Sequence, residues 1–286
     1  MTFSIVGRDS KTGELGVAVA TKFIAVGASV PHADYQVGTV AVQAEHHPFF
    51  GRQVMALLEE GICPEKAVKK VLIEDDRRGS RQLGVVDAQG RAFSYTGSDC
   101  GYWSGGRCVE NAAAQGNGLV NEATVTAMIE YFQESQEPLP YRLLGALTAG
   151  EHAGGDSRGK QSAALYVAYK PGGMTLFDYG LLDLRVDDHP EPYMELYRLL
   201  NVRARLWGGF QEDNVVRVNE KICRQIQKSL YALGYYDEKI TGIYDAATIK
   251  ALRRFCYREN LRKRIDENAR FDQVVLDWLT HKGRSL

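Results

Sequence analysis

A chain of 286 residues, 44% of them apolar, is long enough for one large domain and a small one. A formal charge of −1 excludes a chain built as a whole to bind nucleic acid or an anionic membrane surface, although Lys and Arg outnumber Asp and Glu beyond about residue 210, where the earlier part is acidic. Cys63, Cys100, Cys108, Cys223 and Cys256 are scattered and odd in number, unlike a disulfide framework, and with no signal-like opening and no apolar run near the roughly 20 residues of a membrane span the expected setting is the cytoplasm.

The chain opens on Thr2-Phe3-Ser4-Ile5-Val6, an alternating run that reads as a β-strand, and turn chemistry over residues 8–13 leads into a second strand at 15–20. A strand candidate at 39–44 precedes helical spacing over 52–60 and, with Pro64 in a first turn, through Leu72. Strands at 82–87 and 92–96 follow, then helices at 122–134, with Asn121 as N-cap, and at 141–149. Residues 163–169 and 174–177 read as strands and 192–206 as a helix. Strands in clusters separated by helix pairs predict an α+β fold in which helices pack on antiparallel sheets. Trp207-Gly208-Gly209-Phe210 breaks the pattern, dividing residues 1–208 from a small all-α unit at 209–286 with helices over 219–233, 246–257 and 271–279.

Thr2 directly follows Met1. Removal of the methionine would put a hydroxyl nucleophile and a free α-amine on one residue, and an amine with a reference pKa of roughly 7.7 to 8.0 can act as base toward its own hydroxyl. The plain alternative is trimming without chemistry. Lys22, at the end of the second strand, could emerge beside Thr2 and favour the deprotonated form of a neighbouring amine or hydroxyl; a solvated lysine is the alternative. Gln115-Gly116-Asn117 offers two amides suited to an oxyanion hole, against the competing reading of an ordinary turn.

The run from Gly154 to Ser162 combines glycines with the opposite charges of Asp156 and Arg158, a composition for gripping a polar ligand. It is no phosphate loop, because the GxxxxGK[ST] spacing is absent and it leads into a strand. Asp183, Arg185, Asp187, Asp188 and His189 could bind a cation, but Asp–Arg pairing or substrate positioning is the better reading. His46 and His47, adjacent on a strand, point to opposite faces and make a poor metal pair. Cys100 and Cys108 lack CxxC or Cys-His spacing, so neither a metal nor another cofactor is expected. Arg254, Arg258 and Arg262 at helical spacing read as a solvated face, not a nucleic-acid site.

Thr2 to Val6, GVAVATKFIAVG from Gly16, Gln43-Ala44, QLGVVD from Gln82, Thr96-Gly97, Gln115-Gly116-Asn117, GGDSRGKQSAAL from Gly154 and DLRVDDHP from Asp183, in this order over about the first 200 residues, resemble the bacterial DUF1028 family. That family resembles the N-terminal-nucleophile hydrolases, four-layer αββα sandwiches that cleave amides with an N-terminal Thr, Ser or Cys. The resemblance implies Thr2 as nucleophile; from the residues read above, Lys22 would tune the amine and Asn117 would help stabilise the oxyanion. Gln43, Gln115, Asp156, Arg158, Ser162, Asp187 and His189 are the candidates for holding substrate. IQKSLYALGYYDEKITGIYDAATIKALRRF from Ile226 is similar to peptidoglycan-binding modules, departing from them at Thr241, where an acidic residue is common, and at Asp245, where glycine is usual. The expected protein is a homo-oligomeric hydrolase of a small amide or peptide-like substrate. The alternative is a non-catalytic scaffold that binds a small molecule or a peptidoglycan fragment.

Overall fold

Alternation at the N-terminus becomes strand β1, Thr2–Arg8, in the computed structural model, which describes residues 1–171, 180–207, 210 and 212–284. Phe3 and Ile5 turn to one face of the strand and Val6 to the other, as a two-residue period requires. Asp9 Oδ1 accepts the N–H groups of Lys11 and Thr12 at 2.8 and 2.9 Å, and Gly13 adopts φ +77°, closing the turn into β2, Leu15–Thr21. The hairpin pairs Phe3 with Ala20 and Arg8 with Leu15.

Strands β3 (Pro31–Asp34) and β4 (Gly38–Ala44) come next, then helices α1 (Phe50–Glu59) and α2 (Pro64–Leu72). Pro64 begins α2 where its missing N–H costs nothing, and Glu65 and Lys69 pair one turn apart at 2.6 Å. Strands β5 (Arg81–Asp87), β6 (Ala92–Thr96), β7 (Trp103–Val109) and β8 (Ala112–Leu119) precede helices α3 (Ala123–Glu134) and α4 (Leu139–His152). Strands β9 (Ser162–Ala168) and β10 (Leu181–Val186) are followed by α5 (Pro192–Trp207).

The strands form two antiparallel sheets, β10-β9-β2-β1-β8-β7 and β3-β4-β5-β6. One face of the larger sheet carries Phe3, Ile5, Ala114 and Leu165 into a core with Met128 and Phe132 of α3 and Leu143 and Leu147 of α4. Its other face brings Val6, Val17, Val19 and Ala164 against Ala41 and Val86 of the smaller sheet. That sheet's far side packs Val40, Val42, Leu83 and Val85 on Val54, Leu58, Val68 and Leu72 of α1 and α2. Each fully buried Leu, Val, Ile or Phe contributes about 1.5–3 kcal/mol, so these layers dominate the stability of the unit.

The α+β expectation holds in its coarse form: mixed helices and antiparallel sheets, then a helical region. Four strands depart from it. Gln115-Gly116-Asn117 is not a turn; it lies inside β8, which is buried along its whole length. Strands β3, β7 and β10 were not expected, and β10 absorbs Asp183 and Arg185. The strand expected at 174–177 lies outside the described residues. Asn121, the expected cap, stands one position before the observed N-cap Glu122, and its Oδ1 accepts the Ala123 N–H at 2.8 Å.

The chain divides into two units, Met1–Leu200 and Asn201–Leu286, so that the division falls within α5, whereas the expected boundary at residues 208 and 209 lies outside the described residues. In the second unit α6 (Glu220–Ala232) begins where Asn219 accepts the Ile222 N–H, and α7 (Ala246–Arg258) where Asp245 accepts that of Thr248; α8 spans Gln273–Arg284. Ile226, Leu230, Leu252, Phe255, Phe271 and Leu279 fill its core. Arg264, buried, pairs with Asp272 at 2.6 Å and donates to the carbonyls of Ala204 and Arg205 at 2.8 and 2.7 Å, capping the last turn of α5. Among the described residues no helix is long and apolar enough to cross a membrane.

Candidate functional site

Thr2 shares a strand face with Ser4 and Val6, toward the smaller sheet, and the hairpin register sets it across from Thr21. On its other side it pairs with Asn117 of β8. Thr2 Oγ1 is 2.5 Å from the Met1 carbonyl oxygen and 3.1 Å from Thr21 Oγ1. Thr21 Oγ1 donates to the same carbonyl at 2.6 Å, and Arg158 Nη2 donates to it at 2.9 Å. Thr2 is only 8% exposed and Thr21 2%. Met1 itself forms part of the cover: its side chain lies on Gly118, where a Cβ would come within 2.0 Å of Met1 Cγ, and its sulfur is 3.6 Å from Ser157 Oγ.

The guanidinium is fixed from behind. Arg158 Nη2 and Nε bond Asp156 Oδ2 and Oδ1 at 2.8 and 3.1 Å, and Asp156 also accepts the N–H groups of Lys22 and Arg158 at 2.9 and 3.0 Å. Burial pushes the Asp156 carboxyl up, but these bonds outweigh it and hold the group below its ordinary value. The Ser157 N–H and hydroxyl both donate to the Gly118 carbonyl, which ties this loop to the end of β8. Burial, and then the Arg158 charge, lower the Met1 α-amine below its usual value, while Asp156 and Cys100 oppose them. Cys100, whose thiol burial raises, therefore stands within electrostatic reach of the amine.

Two residues further along the strand the chemistry changes. Ser4 Oγ donates to Gln43 Oε1 at 2.6 Å and accepts from Gln115 Nε2 at 2.6 Å. Gln43 Nε2 donates to Gln82 Oε1 at 2.8 Å and to the Thr2 carbonyl at 3.3 Å. Gln82 Nε2 reaches Thr96 Oγ1 and the Gly116 carbonyl at 2.9 and 2.7 Å, while Gln82 Oε1 also accepts from Asn117 Nδ2 at 2.8 Å. This neutral network is buried between the sheets. Gly84 makes room for it, since a Cβ there would lie 2.0 Å from Gln115 Oε1.

Of the expected residues, Thr2, Asn117, Gln43, Gln115, Asp156 and Arg158 are thus gathered around the end of β1. The others bond elsewhere. The Lys22 side chain is exposed and its Nζ donates to the Lys160 carbonyl at 3.0 Å, because alternation gives the position across from Thr2 to Thr21. Ser162 donates to the Phe23 carbonyl at 2.5 Å and accepts the Val26 N–H at 3.1 Å, pinning the segment after β2. Asp187 accepts the Ala25 N–H through its carbonyl, and His189 bonds Gln161 and Glu191. Asp183 pairs with Arg185 at 2.7 Å. His46 bonds the Ser29 carbonyl while His47 stacks on Phe50. Among the described residues no three His, Cys, Asp or Glu side chains are grouped to hold a metal.

Thr21 is the residue that sequence reasoning missed; the hairpin register, extended by one pair, was the signal for it. A separate hollow of about 610 Å³, lined by Arg8, Asp9, Phe132 and Arg142, lies at the opposite end of β1 and touches none of these groups.

Two families match the chain: "Family of unknown function (DUF1028)" over residues 2–196 and "Putative peptidoglycan binding domain" over residues 210–279. Among solved structures, protein SPO2555 from Silicibacter pomeroyi, itself assigned to DUF1028, is similar at 35% identity over 71% of this chain and 86% of that one, with a TM-score of 0.65. Anbu, the ancestral beta-subunit from Yersinia bercovieri, is 13% identical over 70% of this chain and 93% of that one, with a TM-score of 0.31. No curated protein matches the chain.

Proposed function

This chain belongs to the DUF1028 family, and from that premise we propose that it hydrolyses a small amide or peptide-like substrate with Thr2 as an N-terminal nucleophile, on an αββα sandwich of the N-terminal-nucleophile hydrolase kind. One observation carries the reading: both recorded bonds of the Thr2 hydroxyl run to Thr21 and to the carbonyl of Met1, a residue whose removal would leave hydroxyl and α-amine together at the end of a rigid central strand. Burial and the Arg158 charge already favour the neutral form of the amine at Met1, and an amine on Thr2 would stand in the same field. The amine would take the hydroxyl proton as Oγ1 attacks an acyl carbon, and water would then release the acid.

The test begins with intact mass of protein from its native host, which should start at Thr2. A panel of acyl-amide substrates should then be turned over by the processed protein and not by Thr2→Ala. Mature protein that still carries Met1, or turnover that survives Thr2→Ala, would overturn the reading.

The match of residues 210–279 favours a second reading, in which the second unit binds a peptidoglycan fragment. A hollow of about 650 Å³ there is lined by Tyr235, Ile249, Tyr257, Lys250, Arg254 and Arg258, aromatic faces beside cations that suit a sugar bearing carboxylates. In the full chain, Tyr257→Ala should weaken muropeptide binding measured by calorimetry; unchanged binding would remove this reading.

A further inference from the structure

We propose that Thr21 and Arg158 are the oxyanion-binding residues of this site, an inference that rests on the reading of Thr2 as nucleophile. The carbonyl oxygen of Met1 marks the position. It lies 2.5 Å from Thr2 Oγ1, 2.6 Å from Thr21 Oγ1 and 2.9 Å from Arg158 Nη2. The first separation is little more than that between two oxygens on one tetrahedral carbon. An oxygen gaining charge on an acyl carbon bonded to Thr2 Oγ1 therefore falls close to the same point. Donors to such an oxygen act best when preset at about 2.7–3.1 Å; Arg158 stands within that range and Thr21 just short of it.

Both donors are held without the help of a ligand. Thr21 sits in the second strand of the hairpin and is buried. The Arg158 guanidinium spends Nε and one Nη2 hydrogen on Asp156, which leaves the other Nη2 hydrogen aimed at the Met1 oxygen. Loss of Met1 takes away this shared acceptor while the supports of both donors stay in place. The amides expected for the task are committed elsewhere: Asn117 donates to Gln82 and to the Thr2 carbonyl, and Gln115 to Ser4.

The step balances within the site and its substrate. The Oγ1–C bond forms as the carbonyl π pair moves onto oxygen, between Thr21 and Arg158, and the Oγ1 proton passes to the Thr2 amine. Collapse re-forms the carbonyl and expels the leaving group with its electron pair, an amine leaving with the proton the α-amine returns. Water then adds to the Thr2 ester through the same oxyanion and releases a carboxylic acid. The ligand class is thus an acyl compound whose carbonyl oxygen enters the place of the Met1 oxygen.

The test uses full-length processed protein beginning at Thr2, with p-nitrophenyl acetate as acyl donor, and follows acetylation of the N-terminal peptide by mass. Thr2→Ala keeps the amine and sets the hydroxyl-independent background. Thr21→Val, nearly equal in volume, and Arg158→Gln should each slow the hydroxyl-dependent rate about 100-fold. Thr21→Ser should restore most of it, and Arg158→Lys a part. Phenylboronic acid, which forms a tetrahedral adduct on the hydroxyl, should lose affinity in the same order, and thermal melts identify any variant that does not fold. If acetylation requires the Thr2 hydroxyl but Thr21→Val and Arg158→Gln leave its rate unchanged, the oxyanion assignment fails and the nucleophile stands. If processed wild-type protein is acetylated no faster than Thr2→Ala, the nucleophile itself fails, and this inference with it.

Discussion

Thr2 and Ser4 are hydroxyl residues two positions apart on the same face of the same strand, yet their surroundings are opposite in kind. Ser4 is enclosed: it gives its proton to Gln43, receives one from Gln115, and every partner is itself buried. Thr2 is bonded to Thr21 and to the carbonyl of a terminal residue that stands beside a charged guanidinium. A closed neutral network of this sort rigidifies the sheets, since any member removed leaves others unpaired in a low dielectric. An open charged cluster at its edge has acceptors that can be exchanged. The first holds the strand end still, and the second offers chemistry at it.

The contrast predicts reciprocal effects. In processed protein Thr2→Ala should lower acyl transfer by about three orders of magnitude or more, while changing the unfolding free energy by no more than about 1 kcal/mol. Gln82→Met should do the reverse. It removes the shortest bond of Gln43 Nε2 and of Asn117 Nδ2 and the side-chain donor to the Gly116 carbonyl, leaving the two amides their longer bonds to the Thr2 carbonyl; at about 1 kcal/mol for each buried bond, denaturant titration should show a loss of about 3 kcal/mol with the rate per folded molecule little altered. A Gln82→Met protein of native stability would mean that the network is not the rigid base argued above.

A smaller effect separates the two regions by pH. The neutral amides do not titrate, whereas Asp156 does, with its folded value held below the unfolded reference of about 3.9. Between those values the unfolded chain binds the proton that the folded one refuses, so the contribution of Asp156 is complete above the unfolded value and is lost as pH falls through the folded one. Melting curves recorded from about pH 6 downward should therefore fall more steeply for wild type than for Asp156→Asn below about pH 4. Parallel curves would show that the carboxylate is not held in this way.

Legibility in the sequence followed the same division. The β1–β2 hairpin and the Pro64 helix start could be read because each rests on local periodicity or on the fixed backbone of one residue. Strand β8 could not, because Ala-Ala-Ala-Gln-Gly-Asn-Gly has neither alternation nor β-branched residues, and its polar side chains find their partners on strands distant in sequence, Gln115 at Ser4 of β1 and Asn117 at Gln82 of the second sheet, which a local pattern does not contain. Strand β10 was obscured by its charges for a related reason, since Asp183 and Arg185 pair with each other at an edge. The loop carrying Asp156 and Arg158 was legible as composition; the Met1 oxygen on which it converges was not.

The least effect is expected at Lys22, and it is informative because Lys22 adjoins Thr21. Spacing alone gives both residues the same claim on Thr2, but the hairpin register decides between them: the position across from Thr2 is Thr21, and the next residue turns away. The Lys22 ammonium is exposed and donates to the Lys160 carbonyl, so solvent screens its influence on the amine and hydroxyl at the strand end. Its backbone N–H, by contrast, bonds Asp156 and survives any side-chain change. Lys22→Met should accordingly leave acyl transfer within about two-fold of wild type and stability within about 0.5 kcal/mol. A drop comparable to that of Thr21→Val, or a rise in the pH at which the reaction becomes half-maximal, would instead return Lys22 to the site as its electrostatic partner, with the Lys160 bond broken in the working state.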